Sequence, residues 1–229
     1  MRRRARPLLG TLVEVGAEDG IGIDAAFAAV ARVQAALSRF EAGSEVARFN
    51  ALARGEAVVV GADAQAVLRA AARLASPSGG RFDVALGSGR WSLEGDRLVK
   101  LDAATRLDLG GIAKGHAVDR AITALQAAGC RAGHVNAGGD LRTFGAAGLS
   151  LQLRDERTGG VRPLGRLHDG AFATSHFGAA ARSRLAGGDG GPRHVSVLAE
   201  ECLWADALTK LAALGIELPP EFGATAWLH

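Results

Sequence analysis

Apolar positions along the chain change period repeatedly, and the changes mark the elements. Leu8 to Gly16 alternates in the manner of a strand, whereas Ile23 to Phe40 places Ala26, Phe27, Val30, Val33 and Leu37 on one side of an amphipathic helix. A short extended run, Ala57 to Val60, precedes a second helix over Ala64 to Ala75, which the breaker cluster Ser76-Pro77-Ser78-Gly79-Gly80 ends. Arg97 to Leu101 reads as a strand, and Leu107-Asp108-Leu109 as the end of another. His116 to Ala128 forms a helix with Ala117, Val118, Ala121, Ile122 and Leu125 on its apolar face and Gly129 just past its end. Strands follow at Ala132 to Val135 and at Ser150 to Arg154. Leu203 to Leu214 is the last helix, closed by Gly215 and kept from extending by Pro219-Pro220, and Ala224 to Leu228 reads as an edge strand. Strands and helices are joined by hairpin-length as well as crossover connections, which predicts an α+β fold.

The polar positions carry the candidate chemistry, and they are densest between Leu107 and Gly145. Gly110 and Gly111 let backbone N–H groups approach a ligand at the start of a helix, with Asp108 and Lys114 on either side. Gly110 and Gly115 have the outer spacing of a phosphate-binding loop, but His116 and Ala117 stand where that motif needs Lys and then Ser or Thr. No Gly-x-Gly-x-x-Gly follows a strand, so the dinucleotide fingerprint is absent as well. From the residues alone, an anion or nucleotide site and a glycine-punctuated turn with no ligand both remain open.

The composition narrows the class. At 229 residues with 48% hydrophobic residues, the chain reads as one globular domain over residues 1–229, without repeats or low-complexity tracts. A net charge of +3 is too small to imply a nucleic-acid partner. The arginines at 2, 3, 4 and 6 read as a solvated tail over residues 1–6, because Gly10, Thr11 and Glu14 interrupt any signal-peptide core after them. No stretch is apolar enough to span a membrane. Cys130 and Cys202 lack the spacing of a metal or redox motif, which fits packed thiols and a cytoplasmic location.

The richest segment is similar to the signature of the FAD:protein FMN transferase family, the ApbE-like proteins. Asp108-Leu-Gly-Gly-Ile-Ala-Lys-Gly-His-Ala-Val-Asp119 and Val135-Asn-Ala-Gly-Gly-Asp140 match it with almost no substitutions. Four further blocks fall in family order: Arg6 to Val15, Leu37 to Asn50, Gly79-Gly-Arg-Phe-Asp83, and Ala205-Asp-Ala-Leu-Thr-Lys210. The resemblance implies a compact α+β domain with a mixed or antiparallel sheet and packed helices. It also implies an enzyme that moves FMN from FAD to a Ser or Thr of an acceptor flavoprotein, releases AMP and uses Mg²⁺. On this basis Leu9, Phe40, Arg81, Phe82, Asp83, Asp108 and Lys114 are the expected FAD contacts, with Phe40 in place of the commoner Tyr. Gly111, through its carbonyl, Asp206 and Thr209 are the expected metal ligands.

Three departures bear on activity. Lys210 stands where the family usually has a Thr, four residues after Asp206, so its ammonium either points to solvent or sits where a cation belongs. Arg184 stands where a His required for transfer is expected, and the Asp-Pro pair of that block is gone. His176 replaces the Gly of an Ala-Thr-Ser-Gly run. If transfer survives, His176 and Lys210 are the candidate catalytic replacements. The alternatives are an FAD-binding protein without transferase activity, or a hydrolase that splits FAD into FMN and AMP.

Overall fold

Most of the apolar alternation described above belongs to one large sheet. The structure, a computed structural model, describes residues 1–154, 160–178 and 193–229. In chain order the strands are β1 (Arg2–Leu8), β2 (Thr11–Ala17), β3 (Ala57–Val59), β4 (Trp91–Glu94), β5 (Arg97–Lys100), β6 (Gly133–Ala137), β7 (Asp140–Phe144), β8 (Leu149–Arg154), β9 (Val161–Leu167), β10 (Gly170–Phe177), β11 (Arg193–Ala199) and β12 (Thr225–Leu228). The helices are α1 (Ile23–Leu37), α2 (Glu45–Ala51), α3 (Ala62–Ala75), α4 (Ala113–Ala127) and α5 (Cys202–Ala213). Seven strands form the main sheet in the order β1-β2-β6-β7-β10-β11-β12, and every neighbouring pair is antiparallel. A small β3-β5-β4 sheet and a β8-β9 hairpin complete the fold.

Helices cover one face of the main sheet because the strands alternate. Val13, Val15 and Ala17 of β2, Val135 and Ala137 of β6, Ala171 and Ala173 of β10, and Val195 and Val197 of β11 are all buried in the main core. Against them α1 packs on α4, α4 on α5, and α5 on β10 and β11. The other face keeps a smaller core, where Leu141 and Phe172 meet Leu151, Leu153 and Leu167 of the β8-β9 hairpin.

Three expectations need correction. Residues 2–6 are not a loose tail. They form an edge strand whose hairpin turns at Leu9 and Gly10, both at positive φ (55° and 69°), with Leu8 opposite Thr11. Arg4 and Arg6 hold this strand to α1 through Asp24, at 3.0 and 2.7 Å, and Arg6 lies over the Phe27 ring. The first helix stops at Leu37, three residues early, because Ser38 turns extended; its carbonyl accepts from the Ser44 hydroxyl at 2.5 Å. Leu107 to Leu109 is not a strand. The Asn50 side chain takes up both backbone groups of Leu107, accepting from its N–H at 2.7 Å and donating to its carbonyl at 3.0 Å. A strand partner has nothing left to bind there.

Candidate functional site

The segment between that Asn50 clamp and α4 delivers the site. Asp108 is fixed from three sides: its N–H donates to the Val84 carbonyl at 2.8 Å, its Oδ1 accepts from the Gly110 N–H at 2.9 Å, and its Oδ2 pairs with the Arg39 guanidinium at 3.1 Å. Gly110 and Gly111 then lead into α4, whose first turn carries Lys114. A cavity of about 330 Å³ opens here, lined by Leu9, Leu37, Phe40, Asp108, Leu109 and Lys114 among others. Its walls are mostly apolar. Leu9 is held in place by its N–H, which donates to the Gln34 amide oxygen at 2.6 Å, while Gln34 in turn donates to Glu41 at 2.7 Å. Phe40 is 81% exposed at the mouth, with Arg39 stacked 4.2 Å from its ring centre.

Beyond Lys114 lies a cluster of four charges. Lys114 donates to the Asp140 carboxylate and stands 3.8 Å from Asp206 Oδ2. Lys210 lies one helical turn after Asp206 on α5, so its ammonium folds back on that carboxylate; it donates to Asp206 Oδ1 and, at 2.7 Å, to the Asp206 carbonyl. The Gly115 N–H donates to Asp206 Oδ2 at 3.1 Å. Asp206 and Asp140 are both buried.

Charge explains the proton affinities of this cluster. Burial works against the Asp206 carboxylate, but Lys114 and Lys210 outweigh it and hold its pKa below the ordinary value. Burial likewise opposes the Lys114 charge, and Asp206 and Asp140 reverse that effect and raise its pKa. For Asp140 the balance goes the other way. Burial, reinforced by the Asp206 charge, pushes its pKa up to about 6 despite Lys114 and Lys210.

Two tight contacts position the cluster. α4 crosses α5 at Gly115, where a Cβ would collide with the Cys202 carbonyl and come within 2.9 Å of Asp206 Cβ. Only glycine permits that approach. Asp119 caps α5 from α4, accepting from the N–H groups of Cys202 and Leu203 at 2.9 and 2.8 Å while pairing with Arg142 at 2.6 Å.

The expected site residues therefore divide. Leu9, Phe40, Asp108 and Lys114 line one cavity; Gly111, Asp206 and Lys210 do not line it and join its inner end through Lys114, which stands 3.8 Å from Asp206, while a Cβ on Gly111 would stand 3.2 Å from Lys210 Cε. Arg81, Phe82 and Asp83 do not line the cavity. Phe82 is buried in the main core, and Asp83 folds its own loop by accepting from Ala85 and Gly87 N–H at 2.8 and 2.7 Å. This loop supports Asp108 indirectly, through the Val84 carbonyl.

Thr209 is buried, and its hydroxyl donates to the Asp206 carbonyl at 2.7 Å and meets Ser175 Oγ at 2.9 Å. His176 follows Ser175 on β10 and so points to the opposite face of the sheet. There it is exposed and stacks on His194, with ring centres 4.0 Å apart. It is not brought to the charged cluster, because strand alternation gives the inward position to Ser175. Arg184 and its block lie outside the described residues. Sequence reasoning passed over Gln34, Arg39, Asn50 and Asp140, although the last three stand inside matched blocks.

The arrangement joins an apolar slot to an end that presents the Lys114 ammonium, which suits a ring system carrying phosphate. The model of the ApbE family matches residues 9–92 and 87–180. The chain belongs to the ApbE family. Solved ApbE structures share its fold. A mutant of the flavin transferase ApbE from Vibrio cholerae aligns over 100% of this chain and 93% of its own at 21% identity, with a TM-score of 0.81. The apo flavinyl transferase ApbE of Pseudomonas stutzeri aligns over 99% and 90% at 24% identity, TM-score 0.80. The ApbE protein of Thermotoga maritima aligns over 99% and 93% at 21% identity, TM-score 0.78. No curated protein matches the chain. Among the described residues no helix is long and apolar enough to cross a membrane.

Proposed function

We propose that this ApbE-family protein transfers the FMN portion of FAD to a Ser or Thr hydroxyl of an acceptor protein and releases AMP. The observation that carries the reading is the shape of the cavity: an apolar slot between Leu9 and Phe40 that ends on Lys114. The slot suits an isoalloxazine ring, and Lys114, held by Asp140 and Asp206, suits the pyrophosphate. Asp108, fixed by Arg39 and Gly110, supplies an acceptor for a polar edge of the flavin or its ribityl chain.

Transfer at phosphorus needs positioning and charge neutralisation more than covalent help from the protein. The acceptor oxygen forms a bond to the FMN-side phosphorus as the bond to the bridging oxygen breaks. AMP leaves with that oxygen, and the hydroxyl proton passes to solvent. Lys114 and Lys210 stabilise the charge that builds on the phosphate oxygens.

The donors that Gly111, Asp206 and Thr209 present do not fit the family's Mg²⁺. Both Asp206 oxygens are already bound, and the Thr209 hydroxyl is turned to a carbonyl and to Ser175.

Incubating the protein with FAD and a flavoprotein acceptor tests the reading. A mass increase on the acceptor corresponding to esterified FMN, with an equal amount of AMP, is the expected result. Free FMN and AMP with an unmodified acceptor would make the protein an FAD hydrolase, and intact FAD would make it a binder; either outcome overturns the transferase reading.

A further inference from the structure

We infer that Lys210 is a built-in cation that takes the place of a divalent metal ion at the inner end of the cavity, so that the protein engages a diphosphate with two lysines and no bound metal. The inference deepens the flavin-transferase reading and borrows from it only the identity of the diphosphate.

The donor set decides the matter. A hard dication such as Mg²⁺ needs several oxygen ligands arranged close to octahedrally, at least one of them an uncommitted carboxylate. Asp206 has none to offer. Its Oδ1 and its carbonyl accept from Lys210, and its Oδ2 accepts from the Gly115 N–H with Lys114 at 3.8 Å. Asp140 is tied to Lys114. The Lys210 side chain also crowds Gly111, where a Cβ would stand 3.2 Å from Lys210 Cε and 4.0 Å from its Nζ. Among the described residues no group of three or more His, Cys, Asp or Glu side chains is placed to hold a metal.

Charge balance supports the same conclusion. Lys114 and Lys210 match Asp140 and Asp206 one for one in a pocket where both carboxylates are buried. With no ligand bound, adding a dication would leave two uncompensated positive charges there, which is costly in a medium of low dielectric constant. Lys210 is also well placed for the work. Two of the three N–H groups of its ammonium serve Asp206, which leaves one for a phosphate oxygen, and its side chain keeps 13% of its surface exposed.

Titration with Mn²⁺, followed by the loss of its free paramagnetic signal, tests the proposal without flavin and hence independently of the transfer reaction. The unmodified protein is expected to take up no Mn²⁺ at the concentrations at which Lys210→Thr takes up one ion at least about tenfold more tightly. Uptake of one Mn²⁺ by the unmodified protein with the affinity of the variant would overturn the proposal, as would a folded Lys210→Thr that takes up none. A second measurement needs no variant. FAD affinity of the unmodified protein, read by flavin fluorescence, is expected to agree within about twofold in excess chelator and in Mg²⁺, and a loss of about tenfold or more in chelator would contradict the inference.

Discussion

The two ends of the cavity are built by opposite means. At the inner end Lys114, Asp140, Asp206 and Lys210 hold one another in place below a helix crossing that only Gly115 allows. At the mouth Phe40 stands 81% exposed, and Arg39 bridges it to Asp108 on the surface. The inner end is tied together by its own ion pairs, whereas at the mouth the flavin proposed above would supply the remaining contacts of Phe40. Substitutions should therefore disturb folding at the inner end and little beyond ring binding at the mouth.

The largest effect is expected from Asp206→Ala. It strands Lys114 and Lys210 and removes the acceptor of the Gly115 N–H, and breaking such a buried pair costs about 3–5 kcal/mol. Chemical denaturation should show this loss in the midpoint. A stability within about 0.5 kcal/mol of the unmodified protein would mean that the cluster does not hold the helices together. Gly115→Ala comes next. One methyl group must push α4 away from Cys202, at a cost of about 1–3 kcal/mol, and the measured Tm should fall accordingly.

A pH titration separates the two ends more finely. With a pKa near 6, Asp140 is charged above that value and neutral below it. Above pH 6 the four charges cancel; below it the cluster carries one net positive charge. Anion affinity at the inner end should therefore rise as pH falls through 6, and Asp140→Asn should remove the dependence and bind more tightly at neutral pH. The same raised pKa, against 3.8 for an ordinary Asp, means that the native state binds a proton the unfolded chain has lost between those values. This contribution to stability is present at low pH and disappears as pH rises through 6. Riboflavin, which has no phosphate, should show no such change in affinity. The smallest effect is expected from Phe40→Ala, which should alter stability by no more than about 0.5 kcal/mol and weaken riboflavin and FAD alike, by roughly the value of one ring contact.

The same contrast explains what could be read from the sequence. The α+β class, α4 and α5 were legible because their apolar faces repeat every turn, and the matched blocks led directly to Asp108, Lys114 and Asp206. β1 was missed because its arginines are exposed on both faces, so nothing in their pattern records the pairing with β2 or the ion pairs to Asp24. Asp83 and Thr209 were assigned to ligands because sequence shows which polar groups exist and not where they are used; one closes its own loop and the other caps a carbonyl. His176 was misplaced by a single strand position. The fate of Lys210, solvent or cation site, depended on a contact four residues back along α5, and the structure places it on Asp206.

The most direct measurement compares FAD and riboflavin binding to the unmodified protein and to Lys114→Met, by flavin fluorescence at a temperature where the denaturation curve shows the variant folded. If the inner end holds the pyrophosphate and the mouth holds the ring, Lys114→Met should weaken FAD by at least about tenfold, as expected for a lost charge-assisted hydrogen bond, and leave riboflavin unchanged. Equal weakening of both ligands, or of neither, would contradict the account.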